Sequence, residues 1–162
     1  MCSSLIGKEK HISERYEYYQ EIWQQLIGGV TPSFNNSVYL SEKSTADRNF
    51  ALAYFMREKK AFPKDTNMHE ALDFYLQCCA TQVTAADFAK VAATYANSGI
   101  NPFNNQRIFK PGTVKNTLSL MSSCGMYDFS GEFAFSVGLP AKSSVSGVVW
   151  LVVPNVMGIC IF

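Results

Sequence analysis

The chain has 162 residues, enough for one domain with a hydrophobic core. Its hydrophobic fraction is 48%, its charged fraction is 17% and its net charge is +1 at pH 7, which is the balance of a globular protein. Lys and Arg form no stripe, so the sequence argues against binding to nucleic acid or to an anionic membrane. The longest apolar run, 148–153, is far shorter than the ~20 residues that cross a bilayer.

A first helix is predicted after Ser13, because serine is a common helix N-cap. Gly28-Gly29 closes this element. Residues 31–40 are rich in Pro, Ser and Asn and predict an extended connection. Apolar side chains recur at helical spacing through the predicted helix, at Tyr16, Tyr19, Ile22, Trp23 and Leu26.

Four further helices and a short helical turn are predicted from the apolar periodicity. Capping-box-like pairs, Ser44 with Asp47 and Thr84 with Asp87, mark two of the starts, and Pro111 marks a third. The predicted ranges are 45–61, 67–79, 85–97, 111–122 and, for the turn, 130–135.

The last predicted element is a β-hairpin. Residues 145–153 are apolar and β-branched, Pro154-Asn155 predicts a turn, and 156–162 form the returning strand. Helices therefore come first and an antiparallel strand pair last, which is an α+β arrangement. Two apolar strands need more partners than the rest of the chain supplies, so we expect an incomplete sheet.

The cysteines and histidines give no sign of a disulfide framework or a metal site. The five cysteines form an odd set without a C-x-x-C pair, which favours a reducing compartment. His11 and His69 are isolated from each other and from the cysteines, so no zinc site is predicted. The cysteines are Cys2, Cys78, Cys79, Cys124 and Cys160.

Several polar and aromatic residues occur in motifs typical of one enzyme family. They are Glu42 with Asn49 seven residues later, Tyr75 in Leu72-Asp73-Phe74-Tyr75, Tyr127 in Gly125-Met126-Tyr127-Asp128, and Val145 directly after the Lys142-Ser143-Ser144 turn. In this order the motifs resemble the glutaminases of the kidney and liver type, which belong to the serine β-lactamase and penicillin-binding superfamily. The resemblance implies an incomplete β-lactamase-like fold.

The resemblance also implies a role for each residue. Glu42 and Asn49 would hold the α-ammonium and α-carboxylate of glutamine, a task that suits a carboxylate and an amide. Tyr75 would contact the substrate. Tyr127 would place its phenol beside the nucleophile and relay a proton, and the backbone N–H of Val145 would form half of an oxyanion hole, both also touching substrate. Lys142 and Ser143 are further candidates for site contacts.

The nucleophile motif of this superfamily, Ser-x-x-Lys, is absent from the chain. None of the ten lysines has a serine three positions before it. We therefore expect residues 1–162 to form a single partial glutaminase catalytic domain, which lacks the N-terminal nucleophile region and a C-terminal helix and is inactive alone.

By resemblance, the full-length protein would hydrolyse L-glutamine to L-glutamate and ammonia through a serine acyl-enzyme. The family implies no cofactor or metal, phosphate as an activator, and a homo-oligomer, namely a tetramer. It also implies a mitochondrial location, although the cytosol stays open because the chain shows no targeting segment. Two alternatives are a non-enzymatic truncated isoform that associates with full-length glutaminase, and a penicillin-recognising serine hydrolase.

Overall fold

The structure, a computed structural model, describes residues 1–162, and the chain divides into two compact units. The first unit comprises Met1–Trp23 and Thr31–Gln82, and the second comprises Gln24–Val30 and Val83–Phe162. The expectation that residues 1–162 form part of one catalytic domain stays a prediction. The predicted α+β arrangement is confirmed.

The chain forms seven α-helices and five β-strands. The helices are α1 (Ile12–Ile27), α2 (Asn36–Ser44), α3 (Asp47–Glu58), α4 (Met68–Cys79), α5 (Ala85–Ala96), α6 (Pro111–Cys124) and α7 (Ser130–Ser136). The strands are β1 (Ser33–Phe34), β2 (Thr81–Gln82), β3 (Ala141–Ser143), β4 (Val149–Val153) and β5 (Met157–Ile161). None of the helices combines the length and apolar character needed to cross a bilayer.

The predicted extended connection over 31–40 is wrong, because α2 begins at Asn36. Asn35 is its N-cap: the side-chain oxygen accepts a hydrogen bond from the backbone N–H of Val38 at 3.0 Å. Asparagine favours both turns and helix caps, so the composition of the segment did not separate the two outcomes. The predicted cap of the next helix is also wrong, since Ser44 ends α2 and its hydroxyl donates to the carbonyl of Ser41.

The first unit is organised around a buried arginine on α1. Arg15 is 4% exposed and donates to the carbonyls of Ser3 at 2.6 Å and Ile6 at 2.9 Å. It also forms an ion pair with Glu70 of α4 at 3.1 Å, and its guanidinium lies 4.5 Å from the ring centroid of the fully buried Phe74. Because each of the three guanidinium nitrogens has a partner, the buried charge holds the N-terminal residues, α1 and α4 together.

The second unit contains a three-stranded antiparallel sheet in the order β3-β4-β5. The predicted hairpin is confirmed, with Trp150 paired to Cys160. The sequence did not predict β3, in which Lys142 pairs with Trp150 and Ser143 with Val149. The Lys142-Ser143-Ser144 segment is therefore not only a turn, because its first two residues belong to the edge strand β3. This strand gives β4 the second partner that the sequence did not show.

Helix α5 covers one face of this sheet. Val152 and Ala92 are both fully buried in the core of the unit, and the ring of Trp150 lies 5.5 Å from that of Tyr95. A Cβ placed on Gly158 of β5 would lie only 2.1 Å from the backbone nitrogen of Ala93, so the strand and the helix backbone are in direct contact. The apolar strands thus have cover on this face.

The caps of the helices in this unit follow the sequence closely. The hydroxyl of Thr84 accepts the backbone N–H of Asp87 at 3.1 Å, and α5 begins directly afterwards. Helix α6 starts at Pro111, as predicted, and extends two residues beyond the expected end to Cys124. These boundaries were predictable because the capping interactions lie within one helical turn.

Candidate functional site

Two of the predicted substrate-binding residues line one cavity in the first unit. Asn49 on α3 and Tyr75 on α4 lie in the wall of a cavity of about 170 Å³. The two helices pack through the ring of Phe50, whose centroid lies 5.5 Å from that of His69. The rest of the wall is mainly apolar, with Leu52, Met56, Phe62, Met68 and Leu72. An amide and a phenol in an apolar wall are the few polar groups that orient a small ligand.

Glu42 lies on α2, and its carboxylate acts on Cys79, the last residue of α4. Loss of water around its sulfur raises the pKa of the Cys79 thiol, and the carboxylate of Glu42 raises it further. Cys79 lies one turn after Tyr75 on α4, so the carboxylate of Glu42 acts on the part of α4 that also carries Tyr75.

Polar contacts that the sequence did not predict join α2 to α4. The hydroxyl of Tyr39 donates to Asp73 at 2.7 Å, and the ammonium of Lys43 donates to the same carboxylate oxygen at 2.5 Å. The Asp73 carboxylate raises the pKa of Lys43 above its usual range. The i, i+4 spacing of Tyr39 and Lys43 was the available signal, but it did not reveal a partner thirty residues away.

Tyr127 lies in the second unit in an unusual backbone conformation. Its φ is +52°, a region that bulky residues rarely adopt and that is common where a functional site imposes strain. The Ser130 hydroxyl fixes this loop, since its oxygen accepts the N–H of Met126 at 2.9 Å and its proton goes to the Tyr127 carbonyl at 2.7 Å. The Tyr127 side chain stays exposed, so the phenol is accessible.

The Tyr127 loop is tied to strand β3, which carries Lys142 and Ser143. The ammonium of Lys142 lies 4.3 Å from the ring centroid of Tyr127 and donates to the carbonyl of Ser143. The backbone N–H of Ser143 donates to the carbonyl of Gly125 at 3.0 Å. A Cβ on Gly125 would lie 1.8 Å from the carbonyl oxygen of Ala141, so only glycine permits this approach. A cation and a phenol are thereby held face to face.

Val145 occupies the turn between β3 and β4. The N–H of Gly147 donates to the carbonyl of Ser144 at 3.0 Å, which closes a β-turn with Val145 as its second residue. Val145 is 91% exposed, and its backbone N–H donates to no acceptor within the chain. A free, exposed N–H on a fixed turn is the kind of donor that an oxyanion hole requires.

The predicted residues therefore form one group in each unit. Glu42, Asn49 and Tyr75 belong to the first unit, and Tyr127, Val145, Lys142 and Ser143 belong to the second. No group of three or more His, Cys, Asp or Glu side chains is arranged to hold a metal ion.

Comparison with known proteins identifies the family of the chain. The glutaminase family model matches residues 1–162. The "Glutaminase liver isoform, mitochondrial" of Rattus norvegicus is 49% identical over 158 residues, which cover 98% of this chain and 26% of that protein. "Glutaminase 2" of Clostridium perfringens is 41% identical over 162 residues, which cover 100% of this chain and 52% of that protein. The chain thus spans about a quarter to a half of the length of these relatives.

The solved structures to which the chain is similar support the same family. The Bacillus subtilis glutaminase YbgJ, in a covalent complex with 5-oxo-L-norleucine, superimposes with a TM-score of 0.91 at 34% identity, covering 99% of this chain and 55% of that chain. Mglu in its glutamate form gives a TM-score of 0.87 at 34% identity, covering 96% of this chain and 35% of that chain. The expected β-lactamase-like fold is confirmed by this agreement. The chain belongs to the glutaminase family.

Proposed function

We propose that this chain supplies substrate-binding and catalytic groups to an enzyme that hydrolyses L-glutamine to L-glutamate and ammonia. The observation that supports the proposal most is that Asn49 and Tyr75 line one cavity, while α2, the helix of Glu42, is joined to α4, the helix of Tyr75, through Asp73. The structural relatives support it, because 5-oxo-L-norleucine is an L-α-amino acid with a carbonyl at the carbon where glutamine has its amide.

In this proposal the first unit recognises the amino-acid end of glutamine. The carboxylate of Glu42 pairs with the α-ammonium, and the amide of Asn49 donates to the α-carboxylate. The hydroxyl of Tyr75 adds a further hydrogen bond. The apolar wall beside Asn49 and Tyr75 lowers the local dielectric and so strengthens the hydrogen bonds of these two side chains.

The second unit contributes the groups that act at the amide carbon. A serine nucleophile attacks that carbon, and the carbonyl oxygen becomes an oxyanion to which the N–H of Val145 donates, a contact worth about 2.7–4 kcal/mol in comparable sites. The phenol of Tyr127 relays the proton of the serine hydroxyl to the amide nitrogen, the carbon–nitrogen bond breaks, and ammonia leaves. Water then cleaves the acyl-serine ester and releases glutamate. Lys142 keeps its cation beside the Tyr127 ring, and Ser143 holds the loop.

The nucleophilic Ser-x-x-Lys pair is not among these 162 residues, so the proposal assigns it to another segment of the enzyme. Amide hydrolysis needs no redox or group-transfer cofactor, and none is part of the proposal. We also propose phosphate as an activator and a tetrameric homo-oligomer, as the family resemblance implies. A mitochondrial location is proposed as well, and the name of the rat relative supports it.

Glu42→Gln tests the binding role directly. We expect the dissociation constant of the 162-residue chain for L-glutamine, measured by NMR titration, to increase roughly tenfold or more, since a hydrogen bond to a charged group contributes about 1.5–3 kcal/mol. The same titration with Glu58→Gln should match the unsubstituted chain, because Glu58 is an exposed residue at the end of α3 that pairs with its neighbour Lys59.

Two results would contradict this assignment. The first is an unchanged affinity in Glu42→Gln with the fold intact. The second is equal loss of affinity in Glu42→Gln and Glu58→Gln, which would mean that any change of charge in the first unit has the same effect. Absence of binding by the unsubstituted chain would equally count against the proposed role of the first unit.

A further inference from the structure

Helix α2 carries Glu42 but buries none of its own residues. Its side chains Val38 and Leu40 are 38% and 54% exposed, so hydrophobic packing does not fix the rotation of the helix about its axis. The N–H of Asn35 donates to the carbonyl of Ala80 at 2.9 Å, which secures only the N-terminal end. Another contact must set the position of the Glu42 carboxylate.

That contact is the cluster of Tyr39, Lys43 and Asp73, which joins the middle of α2 to α4. Lys43 donates to the Tyr39 hydroxyl at 2.8 Å as well as to Asp73, and its ammonium lies 5.1 Å from the Tyr39 ring centroid. The second oxygen of Asp73 accepts from Gln77, one turn later on α4, at 3.3 Å. The carboxylate is therefore held from both helices, and the two contacts on α2 lie one turn apart.

We propose that the Tyr39–Lys43–Asp73 cluster positions Glu42 for substrate binding by fixing the rotation of α2 on α4. Glu42 lies three residues after Tyr39, so the two are neighbours on the surface of the same short helix, and it directly precedes Lys43 in the chain. A rotation of α2 that broke the cluster would displace the Glu42 carboxylate. This inference rests on the proposed function, in which that carboxylate binds the ammonium of glutamine.

The cluster is too exposed to be a major source of stability. The side chains of Lys43 and Asp73 are 52% and 30% exposed, and solvated ion pairs of this kind contribute little to the free energy of unfolding. A purely structural role and a positioning role therefore predict different results. The positioning role predicts a large change in ligand affinity with a small change in stability.

Asp73→Ala in the 162-residue chain tests the inference, since alanine favours the helical conformation of α4 but removes both anchor contacts. We expect affinity for L-glutamine in NMR titrations to fall roughly tenfold. The urea midpoint should stay close to that of the unsubstituted chain. Asp73→Asn, which keeps an acceptor for Tyr39, should recover part of the affinity. Glu58→Ala, which removes an exposed acid that joins no helices, is the matched control.

A double substitution separates positioning from a direct effect. If Asp73 acts through Glu42, Asp73→Ala should weaken binding no further in a Glu42→Gln background. Additive losses would overturn the inference. An unchanged affinity in Asp73→Ala, with a loss in Glu42→Gln, would overturn the inference and leave the proposed function intact.

Hydrogen exchange gives a test that does not depend on the ligand. The amides of α2 should exchange faster in Asp73→Ala than in the unsubstituted chain, while the amides of α5 should not change. Equal exchange of α2 in both chains would overturn the anchoring role of the cluster, whether or not glutamine binds. Faster exchange without any binding of glutamine to the unsubstituted chain would refute both the proposed function and the part of the inference that rests on it.

Discussion

Tyr127→Phe is expected to lower kcat by about 10²- to 10⁴-fold, the range that a general acid or base contributes. The activity is measured in a chimera in which this chain replaces the matching residues of the Rattus norvegicus liver isoform, to which it is 49% identical over 158 residues. Phenylalanine keeps the ring that lies under Lys142, so the fold and the KM for glutamine should change little. The substitution removes only the phenolic hydroxyl group.

Tyr18→Phe is the matched control for this change. Tyr18 lies exposed on α1, where removal of a hydroxyl should leave kcat unaffected. If kcat in Tyr127→Phe stayed within about twofold of the parent chimera, far below the contribution of a general acid, the phenol would have no part in proton transfer. A change confined to KM would instead give Tyr127 a role in binding alone.

Gly158→Ala is expected to destabilise the second unit strongly. The added Cβ would lie 2.1 Å from the backbone nitrogen of Ala93 and 2.3 Å from the carbonyl carbon of Ala92, and these backbone atoms cannot rotate away. Overpacking in a core typically costs about 1–3 kcal/mol, and we expect a value at or above the top of that range. Urea unfolding followed by the fluorescence of Trp150, which packs in the same core, measures the loss.

Gly112→Ala is the matched control for Gly158→Ala, because it adds the same methyl group at a position with room for it. A Cβ on Gly112, in the first turn of α6, meets no atom within 4 Å. This substitution should be neutral or should stabilise the unit by up to about 1 kcal/mol, since alanine has the higher helix propensity. Equal stability of Gly158→Ala and the unsubstituted chain would refute the close contact of β5 with α5.

Local sequence signals predicted the helices whose caps lie within one turn. Thr84 with Asp87 and Pro111 gave the starts of α5 and α6, since each interaction involves neighbours in sequence. Helix α2 was missed because its cap, Asn35, belongs to a residue type that also favours turns. Strand β3 was missed because its three residues include no β-branched residue. Only its pairing with β4, which forms in the folded chain, makes it a strand.

The candidate site likewise has parts that the sequence predicted and parts that only the structure shows. The motifs around Glu42, Asn49 and Tyr75 were recognisable from the sequence as members of a family pattern. The cluster that orients α2 was not, because Lys43 and Asp73 lie thirty positions apart and meet only after two helices pack. The need for glycine at position 158 was hidden for the same reason, since the atoms that exclude a side chain belong to a distant helix.

The most direct test of the account is the rate of ammonia release from L-glutamine, measured with the isolated 162-residue chain and with the chimera side by side. The isolated chain contains no Ser-x-x-Lys, and loss of a serine nucleophile costs on the order of a million-fold in kcat, so it should show no turnover above a heat-treated sample. The chimera should release ammonia. A folded chimera without activity, or turnover by the isolated chain that survives repurification, would contradict the account.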